Sequence, residues 1–173
     1  MPTEKYGGVS TDAMIRYITH LPENGDVQLT LLKTHLLVEE LLTYIIERKC
    51  IRPNYLKKAK LNFAQKIHMA HAMSEINDSS WVWGALQKLN TARNSLSHKL
   101  DHAVLDKEIA DFVLFIDTQT EPIEERFMSE HFSKLYYASF YLYSELSAHA
   151  DFDPAKLAPL MVNTILTGTP RKG

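Results

Sequence analysis

Two side chains near the middle of the chain, Arg93 and His98, could do acid–base chemistry on a phosphate. An imidazole titrates near neutral pH and can act as a general base or a general acid. A guanidinium keeps its charge and presents a fork of donors that fits phosphate oxygens. Asn94 precedes His98 by four residues, so the two share a helix face, and the amide could fix the imidazole tautomer or contact RNA. Arg93 lies about 140° around an ideal helix from His98, so the guanidinium must reach round or the helix must end near Ser97.

A purely structural interpretation of the same residues stays open. Arg93 could form an ion pair with Glu39 or Glu40. His98 could cap the carboxyl end of its helix, where a positive charge is favoured. In that case the segment would hold helices together and do no chemistry.

A basic stretch, RKCIRPNYLKKAK, contains no acidic residue. Cations with an interleaved aromatic side chain, here Tyr55, can bind the backbone of single-stranded RNA and stack a base. The alternative is a solvated helix turn. Residues 108–130 are mostly acidic and could serve a partner protein or solvate the surface. The predicted RNA-binding cations are Arg48, Lys49, Arg52, Lys57, Lys58 and Lys60.

Several common chemistries lack their motifs in this chain. It contains no glycine-rich phosphate loop, no G-x-S-x-G and no H-E-x-x-H. A di-iron bundle needs Glu-x-x-His pairs, and none is present. The single cysteine, Cys50, excludes an internal disulfide and a multi-cysteine metal site. We therefore expect neither a metal nor a cofactor.

Apolar periodicity predicts an all-α chain. The clearest helix covers VQLTLLKTHLLVEELLTYIIERK behind the N-cap Asp26, and it should be central because it is apolar around much of its circumference. The sequence thus predicts one up-down bundle of about five main helices, a single domain over residues 1–173 with loose termini at 1–9 and 168–173. Further helices are predicted over AMIRYITHL, NYLKKAKLNFAQKIHMAHAM after Pro53, WVWGALQKLNTARNSLSHKL after Ser79 or Ser80, LDKEIADFVLFIDTQ, IEERFMSEHFSKLYYASFYLYSELSAHA, and a short segment after Pro154.

The last long predicted helix is rich in aromatic residues. They cover more than one helix face, so core packing accounts for one side only. The other side is predicted to be buried in a dimer, because large apolar patches mark interfaces. The cluster consists of Phe132, Tyr136, Tyr137, Phe140, Tyr141 and Tyr143.

The helix that ends in Arg93-Asn94-x-x-x-His98 resembles the signature of the HEPN superfamily. These are helical bundles whose motif has four to six residues between an Arg and a His, often with Asn after the Arg. THLLVEELLTYII resembles the long second helix of the family, with Glu39 or Glu40 at its polar position. LNFAQKIHMAHAM resembles the helix before the motif in the branch that contains the mannitol operon repressor. Together the resemblance covers about residues 30–100.

The resemblance implies a homodimer in which two Arg–His motifs meet in a cleft at the interface. Catalytic members are metal-independent ribonucleases, often toxins or defence proteins. RNA cleavage without a metal needs a general base that deprotonates the 2′-hydroxyl, a general acid that protonates the leaving oxygen, and a cation that stabilises the phosphorane. Arg93 and His98 would be catalytic, Asn94 would orient, and a symmetric dimer would supply the second histidine. Other members resemble the mannitol operon repressor, and for them the implied role is non-catalytic regulation through a partner protein. A third possibility is a neutralised relative of a toxin, or an immunity protein.

Length and charge set the outer limits. The chain has 173 residues and a formal charge of −2, so it has no general electrostatic attraction to nucleic acid. No apolar run approaches the roughly 20 residues that span a bilayer, which predicts no membrane contact. The first residues lack the apolar segment of a secretory signal, so the cytoplasm is the expected location.

Overall fold

A computed structural model describes residues 5–6, 9–22, 25–98, 102–120 and 134–154. Two short strands, β1 (Lys5–Tyr6) and β2 (Val9–Ser10), pair antiparallel, which differs from the loose segment expected over 1–9. The rest of the described chain is helical, and the predicted all-α bundle is confirmed. The helices are α1 (Thr11–His20), α2 (Val27–Lys49), a 3₁₀ turn (Pro53–Tyr55), α3 (Leu56–Ala59), α4 (Phe63–Met73), α5 (Trp81–His98), α6 (His102–Asp117) and α7 (Lys134–Ala150).

Side-chain caps explain where the first helices begin. The backbone N–H of Ala13 donates to the Ser10 hydroxyl at 3.1 Å, and that of Leu29 donates to the Asp26 carboxylate at 2.8 Å. Each cap satisfies one of the amide groups that a helix start leaves without an intrahelical partner. The predicted N-cap at Asp26 is confirmed.

The prediction of one continuous helix after Pro53 is wrong. Lys60 adopts a left-handed conformation, with φ of 49°, and ends α3. Asn62 then starts α4 through a reciprocal capping box with Gln65, both hydrogen bonds being 2.9 Å. The chain therefore turns between α3 and α4, and Lys57 and Lys60 line a groove together with residues of α2. Helix predictions for residues 123–133 and for the segment after residue 154 lie outside the described residues.

Helix α2 is the centre of the bundle, as its apolar circumference predicts. It packs against α4, α5 and α7, while α6 packs between α5 and α7. From α5, the stripe residues Ala85, Leu89 and Ala92 are fully buried. This packing holds the inner face of the motif helix α5 against the central helix.

The aromatic residues of α7 are largely used by the core. Tyr143 is fully buried, and Tyr17 from α1 packs edge-on against Tyr136 and Phe140. The remaining described members of the cluster are half-buried; Phe132 lies outside the described residues. Within the described part, the most exposed large apolar side chains lie instead on α1, α2, the loop after α2, and α6.

Candidate functional site

Helix α5 carries the predicted motif on its last two turns. The described helix reaches His98, one residue beyond Ser97, and residues 99–101 lie outside the described residues. Arg93 is half-buried, and its Nη1 donates to the exposed Asn94 Oδ1 at 3.4 Å. The side chain of His98 lies outside the described side chains. The structure therefore brings Arg93 and Asn94 together and leaves the predicted contact of each with His98 untested.

Arg93 lies within electrostatic reach of His35, a buried residue of the central helix. The side chain of His35 is 7% exposed, and its ring packs against that of Phe63 with centroids 4.0 Å apart. Burial, which disfavours the charged imidazolium, lowers the pKa of His35 to about 4. Glu39 opposes that shift, while Arg93 and Lys66 add to it. At neutral pH His35 is therefore an uncharged neighbour of Arg93.

Glu39 links His35 to α4. Lys66 Nζ donates to Glu39 Oε1 at 2.7 Å, and the second carboxylate oxygen lies 3.9 Å from His35 Nδ1. The buried Nε2 of His35 has no hydrogen-bond partner within the described part of the chain. We refer to His35, Glu39, Lys66 and Arg93, which come from three helices, as the Arg93 cluster.

Sequence reasoning missed His35 and Lys66. The one available signal was the four-residue spacing of His35 and Glu39 along α2, which places both on one helix face. Nothing in the sequence near Lys66 indicates that it would reach that face. Its position follows from the turn at Lys60 and from the packing of α4 on α2.

Glu40 forms a separate ion pair. Arg16 from α1 donates from Nε and Nη2 to the two oxygens of Glu40, both at 2.7 Å. The sequence leaves open an ion pair of Arg93 with Glu39 or Glu40; Glu39 pairs with Lys66, and Glu40 pairs with Arg16. Both glutamates therefore join α2 to another helix, and their supporting role at the Arg93 motif stays a prediction.

A groove of about 600 Å³ runs along this face of α2. Lys57 and Lys60 line one side, and both belong to the basic stretch that the sequence singled out. The other side includes the Glu39–Lys66 pair, so the groove is continuous with the Arg93 cluster. The complete lining is Leu36, Glu39, Glu40, Thr43, Tyr44, Ile46, Glu47, Leu56, Lys57, Lys60, Leu61 and Lys66.

The other four cations of the basic stretch do not join this groove. Arg48 Nη1 donates to the carbonyl oxygen of Ala150 at 2.9 Å, and Lys49 pairs with Glu75 at 3.0 Å. Arg52 is exposed, and Lys58 Nζ lies 5.0 Å from the centre of the Tyr55 ring. The six predicted RNA-binding cations therefore divide among several surfaces, since α2 ends at Lys49 and the chain turns twice before α4.

The described residues contain no group of three or more His, Cys, Asp or Glu placed to hold a metal ion. None of the described helices has the length and apolar character needed to cross a membrane. Comparison with known protein families, curated proteins and solved structures finds no match.

Proposed function

We propose that the chain is an HEPN-type homodimer that binds RNA and cleaves it without a metal ion. The observation that supports this most is the position of Arg93. Arg93 acts electrostatically on His35, and so do Glu39 and Lys66, whose ion pair lines a groove that also holds Lys57 and Lys60. The motif helix and part of the basic stretch, which are separate in the sequence, are therefore linked through the Arg93 cluster.

The charges of the groove favour an anionic ligand at the α3 side. Glu39 is neutralised by Lys66 and Glu40 by Arg16, so Glu47 is the one lining carboxylate without an ion pair in the described residues, against two lysines. Lys57 and Lys60 are exposed, and neither forms an ion pair within the described residues. Phosphates of single-stranded RNA can bind these lysines.

The proposed chemistry divides the roles between two copies. Arg93 stabilises the charge of the phosphorane with its planar fork of donors. His98 of one copy takes the 2′-hydroxyl proton, and the same residue of the other protonates the leaving oxygen. Asn94, which accepts a hydrogen bond from Arg93, orients the guanidinium. His35 is neutral near pH 7 and adds no competing charge beside Arg93.

The test is RNA cleavage by the purified chain in the presence of a metal chelator. His98→Ala should abolish cleavage and leave the thermal melt nearly unchanged. His102→Ala is the matched control, because His102 is an exposed histidine at the start of the next helix. Equal cleavage by wild type and His98→Ala would reject the proposed catalysis.

RNA binding is tested separately from cleavage. Lys57→Glu with Lys60→Glu should weaken RNA binding and reduce its dependence on salt, since two cations at the groove are reversed. Lys33→Glu reverses a charge on α2 outside the groove lining and should have a smaller effect. Equal losses from both changes would indicate non-specific attraction and argue against the groove.

A second candidate is a regulatory module of the mannitol operon repressor kind. The exposed apolar side chains on the loop after α2 and on α6 favour it, because such surfaces often bind other proteins. This function predicts no turnover of any RNA and a stable complex with a partner protein such as a regulator or antitoxin. Robust metal-independent cleavage by the purified chain would argue against it.

A further inference from the structure

The loop after α2 presents apolar side chains to water. Ile51 is 97% exposed and Tyr55 is 63% exposed, and we refer to residues 51–55 as the 51–55 loop. Arg52 lies between them and is also exposed. An aliphatic side chain has no aromatic face on which a base can stack and gains nothing from phosphates. Ile51 and Tyr55 together give the loop an apolar surface that a protein partner can cover.

A cavity with complementary properties lies between α6 and the start of α7. Its volume is about 430 Å³, within the range that proteins use to hold ligand groups. Leu114 on its wall is 63% exposed, and Asp106 and Asp117 stand near its ends without an ion pair in the described part of the chain. We refer to this cavity as the acidic groove. Its lining is Val27, Asp106, Ile109, Ala110, Val113, Leu114, Asp117, Lys134 and Leu135.

We propose that the acidic groove of one copy binds the 51–55 loop of a second copy. Ile51 fills the apolar floor, and Arg52 lies against Asp106 or Asp117. The match is one of charge as well as polarity, because the loop is flanked by cations and the groove carries two aspartates against a single lysine. Charges of opposite sign across a contact select the partner and its orientation.

A chain cannot fill its own groove. Val27 lines the groove and begins α2, whereas the loop follows Lys49 at the other end of that helix. The helix has 23 residues, which corresponds to about 35 Å. Two copies that lie antiparallel along α2 can make both loop-to-groove contacts at once. Such a pair has the two-fold symmetry of most homodimers.

Sedimentation velocity over a range of concentrations tests the contact. Ile51→Ser and Leu114→Ser should each weaken dimerisation about tenfold or more, because burial of one large aliphatic side chain is lost at both contacts. Ile18→Ser is the matched control, since Ile18 is an exposed isoleucine on α1, outside both surfaces. Both changed residues are solvent-exposed, so folding should be retained.

Mixing the two variants gives a sharper test. A pair formed from Ile51→Ser and Leu114→Ser copies keeps one intact loop facing one intact groove. This mixed dimer should be tighter than the dimer of either variant alone. Arg52→Glu should weaken the wild-type dimer, and Asp117→Arg in the same chain should restore part of the loss.

The contact does not depend on RNA cleavage, so the two proposals can fail separately. A chain that dimerises equally well with Ile51→Ser would overturn this contact alone. A chain that is monomeric at every concentration would overturn this contact and the proposed homodimer together. Binding of the loop to anionic vesicles in place of self-association would also overturn this contact. If RNA cleavage depends on His98 but dimerisation does not depend on Ile51, only the proposed function stands. If dimerisation depends on Ile51 but no His98-dependent cleavage is found, only the contact stands.

Discussion

The ion pair between Arg16 and Glu40 allows a quantitative test of how the bundle is held together. It joins α1 to the central helix through two hydrogen bonds of 2.7 Å, and the two side chains are only 11% and 16% exposed. Glu40→Ala removes the carboxylate and leaves a guanidinium in a mostly desolvated position. Each hydrogen bond to a charged group contributes about 1.5–3 kcal/mol.

The expected loss of unfolding free energy is about 3 kcal/mol. This is near the lower end for breaking a buried pair, because the remaining exposure lets water reach Arg16. For a chain of this size, about 1 kcal/mol corresponds to a shift of about 2–4 °C, so the melting temperature should fall by about 6–12 °C. Urea unfolding and a thermal melt measure the two quantities independently.

Two further variants separate the ion pair from other effects. Glu47→Ala removes a carboxylate of the same groove that has no ion pair within the described residues, and it should change stability by about 0.5 kcal/mol or less. Arg16→Met combined with Glu40→Leu replaces the pair by apolar groups and should be nearly neutral. The reasoning would be refuted if Glu40→Ala lowered the free energy of unfolding by less than about 1 kcal/mol. It would also be refuted if the effects of Arg16→Met and Glu40→Leu, each made alone, added up to the effect of the double change.

Two more predictions follow from buried groups. Burial holds the pKa of His35 at about 4, whereas an unfolded histidine titrates near 6.5. Between these two pH values the unfolded chain binds one proton more than the folded chain, so the free energy of unfolding should fall as the pH is lowered from 6.5 to 4. Urea unfolding should show a smaller fall for His35→Gln. A Cβ at Gly84 would lie 2.7 Å from Phe115 Cζ, so Gly84→Ala should lower the free energy of unfolding by about 1 kcal/mol although Ala favours a helix more than Gly does. In a Phe115→Ala background the same change should raise the free energy of unfolding. A gain from Gly84→Ala alone would show that the Phe115 ring moves freely aside.

Local features of the bundle could be read from the sequence. Asp26 begins α2 through a bond to an amide three residues away, and Ala85, Leu89 and Ala92 form the buried stripe of α5. Such features depend on neighbours within one or two turns, so the order of residues is sufficient to predict them. The capping box at Asn62 and Gln65 is equally local. The sequence nevertheless predicted one continuous helix here, because the apolar periodicity of α3 and α4 runs on across the break between them.

The grouping around Arg93 could not be read in this way. His35, Lys66 and Arg93 belong to three helices, and their approach depends on how α4 and α5 pack on α2. The basic stretch shows the opposite, because its neighbouring cations have different partners. Arg48 contacts Ala150, Lys49 contacts Glu75, and Lys57 and Lys60 line the groove. The sequence by itself determined the helices, their caps and the composition of each segment, because those follow from local periodicity. Only the tertiary structure decided which charges share a surface, because helix packing brings distant residues together and turns separate adjacent ones.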